Sequence, residues 1–244
     1  AQQDRRRLNM NKLASLAVVG MLTAPFALGG AEISGKVTLK GTPPAAIKIA
    51  MDPLCGRLHT TDVTTQHYVT GPDGVLKDVF VYIKETPGGK KYQPPADKVP
   101  VLDQVGCIYT PYISGVMVDQ KFTIRNSDPL MHNVHATPKV EGNKEFNVGQ
   151  PVKGMEYSAS FPKPEVLLRF KCDVHPWMFA YVGVMEHPYF AVTDKDGKFK
   201  LPSDLPPGDY TLVAFHRKAG ELTQKITVAE GDKKEVAFTM EVPK

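Results

Sequence analysis

Several residue patterns that mark large functional classes are missing from this 244-residue sequence. It has no Cys-x-x-Cys-His motif, which excludes an attached c-type haem, and no Walker loop for nucleoside triphosphates. No Ser/His/Asp constellation or pair of catalytic carboxylates stands out, so we expect a protein that is not an enzyme. The net charge is only +4, with Lys and Arg scattered among Asp and Glu, so we expect no nucleic-acid partner.

Long stretches with helical periodicity are also missing after residue 31. Glycine and proline are frequent, with 20 and 21 residues, as in proteins rich in turns. Short runs of alternating or continuous apolar residues, such as 33–39, 75–84 and 115–125, are separated by turn signals. This pattern predicts an all-β protein built as a Greek-key sandwich or barrel.

The N-terminal segment, residues 1–31, has a composition of its own. Arg5, Arg6, Arg7 and Lys12 precede an apolar run over residues 13–31 that ends in small residues, as in a bacterial secretory signal. A run of about 19 residues can also span a bilayer as a helix. We expect a retained membrane anchor, with a cleaved signal as the alternative. Both place the rest of the chain on the periplasmic side of the bacterial inner membrane.

One short loop combines three residue types that bind soft metal ions. Cys172, His175 and Met178 are spaced Cys-x-x-His-x-x-Met, and His132 lies well upstream. Thiolate and thioether sulfur favour Cu(I), and imidazole suits both oxidation states of copper. Methionine argues against zinc, whose usual ligands are Cys, His, Asp and Glu. The set predicts one type 1 (blue) copper centre.

Simpler explanations exist for these residues. Cys172 could be a small buried hydrophobic residue, and Met178 could be ordinary core packing. His132 and His135 compete for the upstream position, because residues three apart on a regular strand point to opposite faces. We choose His132 as the ligand and expect a structural or surface role for His135.

Neighbours of the ligands also have expected roles. The amide of Asn133 would tie the two ligand segments together, unless it is an ordinary turn residue. Pro176 removes one backbone N–H donor near the sulfur. Three cysteines in an exported chain suggest one disulfide and one thiol with another role. If Cys172 binds metal, Cys55 and Cys107 form the disulfide; the alternative is that all three are reduced and inert.

Residues 118–185 resemble the small periplasmic cupredoxins, amicyanin and pseudoazurin most closely. The sequence FTIRN at residues 122–126 is similar to their strand before the first ligand, and His-Asn-Val-His and Cys-x-x-His-Pro-x-Met are similar to their ligand segments. The resemblance implies copper, transfer of single electrons, and an exposed histidine edge in an apolar docking patch. The ligands that it implies are His132, Cys172, His175 and axial Met178, and the docking candidates are Pro176, Trp177 and Phe179.

The segment from residue 187 onwards resembles a transthyretin-like or carboxypeptidase-regulatory-like β-sandwich. The similarity lies in Thr-Asp-x-Asp-Gly-x-Phe at residues 193–199 and Leu-Pro-Pro-Gly-x-Tyr at residues 205–210. Such a module implies a fold and no particular chemistry. The predicted organisation is an anchor or signal over 1–31, a cupredoxin-like domain with an N-terminal β extension over 32–186, and a smaller sandwich over 187–244.

These features predict a membrane-tethered blue-copper protein that passes single electrons to or from a periplasmic or membrane redox partner. The alternative is a structural subunit with a cupredoxin fold that stabilises the periplasmic face of a respiratory or photosynthetic membrane complex. The extra length of the chain and its second sandwich motivate this alternative, because a small electron shuttle has neither.

Overall fold

The computed structural model of the protein describes residues 30–243. The predicted anchor or signal therefore lies outside the described residues, apart from its last two positions. Between residues 30 and 243, no helix is both long and apolar enough to cross a membrane. This part of the chain is nearly all strand, with one four-residue α-helix and two short 3₁₀ turns. The all-β prediction is confirmed.

Sixteen strands and one α-helix follow one another along the described chain. They are β1 (Glu32–Lys40), α1 (Pro53–Gly56), β2 (Phe80–Ile83), β3 (Val101–Gln104), β4 (Tyr109–Thr110), β5 (Ile113–Met117), β6 (Phe122–Asn126), β7 (His132–Thr137), β8 (Phe146–Gln150), β9 (Glu156–Ala159), β10 (Glu165–Lys171), β11 (Phe179–Met185), β12 (Phe190–Val192), β13 (Lys198–Lys200), β14 (Gly208–His216), β15 (Gly220–Val228) and β16 (Lys233–Glu241).

The strands form four sheets. Sheet A has the order β13-β1-β16, sheet B β12-β2-β14-β15, sheet C β5-β11-β10-β7-β8, and sheet D β4-β3-β6-β9. Three apolar clusters lie between A and B, between B and C, and between C and D. The sheets are therefore packed face to face as two sandwiches, A/B and C/D, which share a third apolar interface.

The first two strands belong to the A/B sandwich, and not to the predicted 32–186 domain. Strand β1 pairs in parallel with β16 from Glu32–Lys233 to Lys40–Glu241. Strand β2 pairs with β12 and β14. The A/B sandwich is thus built from both ends of the described chain, and the strands of C/D lie between them in sequence. Alternating apolar residues predicted β1 and a continuous apolar run predicted β2, but neither pattern carries information on the partner of an isolated strand.

The inner strands β2 of sheet B and β11 of sheet C are buried on both faces. In β2, Val81 and Ile83 belong to the A/B core, whereas Phe80 and Tyr82 face sheet C. In β11, Ala180, Val182 and Val184 belong to the C/D core, and Tyr181 and Met185 face sheet B. Burial of both faces explains why these two strands read as continuous apolar runs rather than as alternating ones.

Two glycines allow sheets B and C to approach each other. Gly115 of β5 and Gly183 of β11 are register partners. A Cβ atom on Gly183 would lie 2.3 Å from the ring of Phe80, and one on Gly115 would lie 2.5 Å from the ring of Phe190. The phenyl rings of sheet B occupy the space that these missing side chains leave, which fixes the A/B sandwich against the C/D sandwich.

Candidate metal centre

Two neighbouring strands of sheet C bring the candidate ligands together. His132 is the first residue of β7, and Cys172 directly follows β10, which pairs with β7 through Lys171 and His135. The loop from Cys172 to Met178 is closed by two backbone hydrogen bonds. The N–H of Cys172 donates to the carbonyl of Met178 over 3.2 Å, and the N–H of Met178 donates to that of His175 over 3.0 Å.

Three ligand atoms converge in a buried cluster. Nδ1 of His132 lies 3.0 Å from Nδ1 of His175, and Sγ of Cys172 lies 3.8 Å from the same His175 nitrogen. The three atoms all lie within 4.8 Å of one another, and all three residues are buried. Met178 is also buried, in the same C/D core cluster as Cys172. The structure thus gathers one thiol and two imidazoles at the end of the C/D core.

This donor set fits a copper ion. Two nitrogen atoms 3.0 Å apart can both reach one ion at about 2 Å, the distance typical of metal–imidazole bonds. Two imidazoles, one thiolate and a nearby thioether are the ligand types of blue-copper electron-transfer sites. His135 points away from the cluster, because its ring bonds the carboxylates of Asp173 at 2.7 Å and Glu145 at 2.6 Å. Of the two upstream histidines, the structure therefore places His132, and not His135, in the cluster.

Asn133 links the two ligand segments. Its Oδ1 accepts hydrogen bonds from the backbone N–H groups of Asp173, at 2.6 Å, and Val174, at 3.3 Å. The same oxygen lies 3.3 Å from Sγ of Cys172. The amide therefore fixes the backbone directly after the cysteine to the start of strand β7, as expected for a residue that orients ligands.

Asp128 is a residue of the site that the sequence reasoning missed. Its Oδ2 lies 2.8 Å from Nε2 of His132, on the ring edge that faces away from the cluster. The carboxylate also accepts hydrogen bonds from the backbone N–H groups of Gly106 and Cys107, both at 2.7 Å. A carboxylate on the far nitrogen sets the orientation and basicity of a ligating histidine. The available signal was an acidic residue four positions before His132.

The electrostatics of the cluster favour metal binding at two of its three groups. Burial by itself raises the pKa of Cys172, but hydrogen bonds from His132 and from backbone N–H groups outweigh it and lower the pKa. Burial and the charge of His132 lower the pKa of His175. Thiolate and neutral imidazole are the forms that bind metal ions.

His132 behaves differently from the other two groups. Burial alone would lower the pKa of His132, but hydrogen bonds with Asp128 and Cys172 outweigh it and raise the pKa to about 9. A metal ion must therefore displace a proton from this ring near neutral pH, so binding is expected to release protons.

A short segment, which we call the cap (residues 52–56), covers His175. The side chain of Asp52 accepts hydrogen bonds from the N–H groups of Leu54 and Cys55 and so begins helix α1. Its other oxygen, Oδ2, lies 3.6 Å from Nε2 of His175. A disulfide joins Cys55 to Cys107, whose backbone N–H bonds Asp128. One covalent link therefore connects the cap to the residue that supports His132.

The expectation of an exposed histidine edge is wrong for this chain. His175 is only 7% exposed because the cap lies against it. Trp177 packs on the His175 ring, with centroids 5.2 Å apart, and its Nε1–H donates to the carbonyl of Cys107 at 3.0 Å. Trp177 and Phe179 are half-buried and line a pocket of about 150 Å³, while Pro176 is exposed beside them.

Comparison with known proteins gives matches to solved structures. No protein-family model matches the chain, and no curated protein matches it. An oxidized amicyanin variant is 25% identical over 43% of this chain and 97% of its own, with a TM-score of 0.33. A purple cupredoxin from Nitrosopumilus maritimus is 24% identical over 35% of this chain and 98% of its own, with a TM-score of 0.30.

A larger copper protein is also similar to part of the chain. The Cu-containing nitrite reductase from Thermus scotoductus SA-01 is 20% identical over 42% of this chain, with a TM-score of 0.34. The chain spans about a quarter of that enzyme, 26% of its length. The solved structures described here are thus cupredoxins and a copper enzyme, and each is similar to less than half of this chain.

Proposed function

We propose that the protein is a blue-copper electron-transfer protein with one copper ion held by His132, Cys172 and His175, and weakly by Met178. The observation that carries the proposal is the convergence of two Nδ1 atoms and one Sγ atom within 4.8 Å in a buried pocket. A bound copper ion would supply a one-electron couple between Cu(I) and Cu(II).

Residues around the cluster suit this chemistry because their contacts hold the candidate ligands in position. Asp128 holds the His132 ring from the side away from the cluster, and Asn133 fixes the backbone after Cys172 to β7. The cap and Trp177 leave little of His175 exposed to water. Ligands that keep their positions when the charge of the ion changes require little reorganisation, which favours rapid electron transfer.

The proposed setting is the periplasmic side of the bacterial inner membrane. The cationic and then apolar pattern of residues 5–31 supports export, with tethering through residues 13–31. The Cys55–Cys107 disulfide also supports it, because disulfides persist mainly in oxidising compartments. The partner would be a redox protein or a subunit of a membrane complex.

Copper titration of the purified protein tests the proposal. We expect one Cu(II) per chain and an intense visible band from thiolate-to-copper charge transfer. Cys172→Ser should abolish the band while the circular dichroism spectrum is kept. His135→Gln is the matched control, because this ring lies on the same strand but faces away from the cluster. A folded, copper-loaded protein without colour would refute the proposal.

The role of the thioether has its own matched pair of variants. Met178 is buried in the same apolar core as Cys172, whereas Met131 is about half exposed. Met178→Leu should keep the visible band and shift the reduction potential, because the axial ligand tunes the potential of such sites. Met131→Leu should leave both properties unchanged. An unchanged potential in Met178→Leu would remove the thioether from the ligand set.

A scaffold function is a second candidate, and the covered His175 edge favours it. A partner cannot contact this ring directly while the cap is in place. A structural subunit of a membrane complex would keep electron flow in the complex after Cys172→Ser, whereas a carrier would lose it. Copper analysis of the complex isolated from its native membrane provides the second measurement.

A further inference from the structure

A cleft of about 780 Å³ opens between the two sandwiches, away from the copper ligands. Its floor is the outer face of sheet C, with Phe179 and Tyr181 of β11 beside Arg169 of β10. Its wall comes from Phe215 near the end of β14 and from Arg217, the first residue after that strand. The volume lies in the range of small-molecule sites, about 300–1,000 Å³.

The two arginines are arranged alike. The guanidinium carbon of Arg169 lies 4.7 Å from the ring centroid of Phe179, and that of Arg217 lies 4.7 Å from the ring centroid of Tyr181. Phe179 and Tyr181 are two residues apart on one strand, so they share a face and lie about 7 Å apart. Each ring therefore supports one guanidinium, and the two cations stand side by side along β11.

Neutral groups hold Arg217 in place. Its Nε–H donates to the hydroxyl of Tyr112 over 3.0 Å, and Nη2 lies 3.3 Å from Nδ1 of His67. Within residues 30–243, no carboxylate lies at ion-pair distance from Arg169 or Arg217. The same holds for Lys139, which lies on the same cleft. The positively charged groups are thus positioned without an ion pair to any carboxylate of the described residues.

The one carboxylate on the cleft is already satisfied. Glu165 is buried, and its oxygens accept hydrogen bonds from the backbone N–H groups of Lys139, at 2.8 Å, and Val140, at 3.3 Å. They also accept a bond of 3.0 Å from Nδ2 of Asn143. This carboxylate is oriented towards backbone donors, so it leaves the arginine N–H groups free for another anion.

We propose that this cleft binds a small organic anion that carries two carboxylate or phosphate groups. Planar guanidinium groups bind both kinds of oxyanion through paired hydrogen bonds, and stacking on aromatic rings orients them in advance. The spacing of the two cations favours a ligand with two anionic groups over one with a single charge. None of the arginine, lysine or carboxylate residues is a candidate copper ligand, so this site is independent of the proposed electron transfer.

Calorimetric titration of the metal-free, full-length protein tests the proposal. The probes are inorganic pyrophosphate and citrate, which distinguish phosphate from carboxylate, with sodium chloride at matched ionic strength as the blank. We expect saturable binding of one molecule per chain for at least one probe. Arg169→Gln and Arg217→Gln should each weaken it about tenfold, the loss of one charge-assisted contact.

Two further variants make the result decisive. Arg57→Gln removes the same charge from an exposed position outside the cleft and should leave binding unchanged. Arg217→Lys keeps the charge but loses the planar fork, so it should also weaken binding, and it serves if Arg217→Gln does not fold. Absence of saturable binding of both probes, or equal weakening by Arg57→Gln, would overturn the proposal. Binding of a poly-glutamate peptide without either small anion would do the same.

Discussion

The two sandwiches differ in what they bury. The A/B core packs aliphatic and aromatic side chains from strands such as β1, β14 and β16, and the buried polar residues of this sandwich include His187, Thr193 and His216. The C/D sandwich buries a set of polar residues at the metal end, namely Gln104, Asn126, Asp128, His132, Asn133 and Gln150. These polar groups bond to one another and to backbone, for example Asn126 to the carbonyls of Leu130 and Gln150.

This difference has a physical meaning. Burying polar groups costs free energy unless each is hydrogen-bonded, so a sandwich that holds a site gains less from burial than an apolar one. In return, its ligands are held in defined positions before any ion binds. We infer that A/B supplies stability through its interface with sheet C, while C/D supplies the site. The following predictions test that division, from the largest expected effect to the smallest.

Removing the disulfide should have the largest effect, and it should act on the C/D site. The bond closes a loop of 52 residues, so the Cys55→Ser/Cys107→Ser variant should lose about 4 kcal/mol of unfolding free energy. Release of the cap should also expose His175, which is measured on metal-free protein as faster modification by diethyl pyrocarbonate. An unchanged rate of modification would show that the cap stays in place without the disulfide.

Filling the space at Gly183 should break the interface between the sandwiches. Gly183→Val places carbon atoms where the Phe80 ring lies, and overpacking of this kind costs about 3 kcal/mol. Urea unfolding provides the measurement. Gly149→Val is the control, since a Cβ at Gly149 meets only Met131 at 4.0 Å. Equal losses of unfolding free energy in the two variants would mean that the space left by Gly183 does not decide how the sandwiches pack.

Acid should act on the A/B sandwich through His216. Burial and the charge of Arg217 lower the pKa of His216 to about 4, and its Nδ1 accepts backbone N–H bonds from Lys218 and Ala219. The unfolded chain binds this proton near pH 6.5. Stability from the neutral ring is therefore present above pH 6.5 and falls as the pH drops towards 4, by about 3 kcal/mol.

The variant His216→Gln isolates this contribution. Its unfolding free energy, measured in urea from pH 7.5 to pH 4, should fall by about 3 kcal/mol less than that of the unchanged protein. Parallel curves for the two proteins would contradict the assignment, because other titrating groups are common to both.

The last prediction concerns copper affinity and uses the variant Asp128→Asn. The amide keeps the size of the side chain but removes the charge that supports His132. We expect copper affinity to fall 10- to 100-fold, in the range found for residues that orient metal-bound histidines. Competition with a copper chelator measures it. An unchanged affinity would show that the His132–Asp128 contact is structural only.

Local patterns in the sequence were sufficient for part of this structure. Alternation of apolar residues predicted β1, because a strand with one face in a core needs that alternation, whereas the single run predicted over 115–125 is divided between β5 and β6. The spacing from Cys172 to Met178 predicted that the candidate ligands of this segment lie close together, because all of them belong to one short loop. The opposite faces of a strand predicted that only one of His132 and His135 would face the cluster, and the structure places His132 there.

Only the tertiary structure decided the rest. The pairing of β1 with β16, the cap over His175 and the bond from Asp128 to the backbone of Cys107 join residues that are distant in sequence. The same holds for the two arginines stacked on β11, one of which comes from beyond β14. Periodicity and motif spacing report how each segment meets its own neighbours, whereas the partner of a face depends on packing free energy summed over the whole chain.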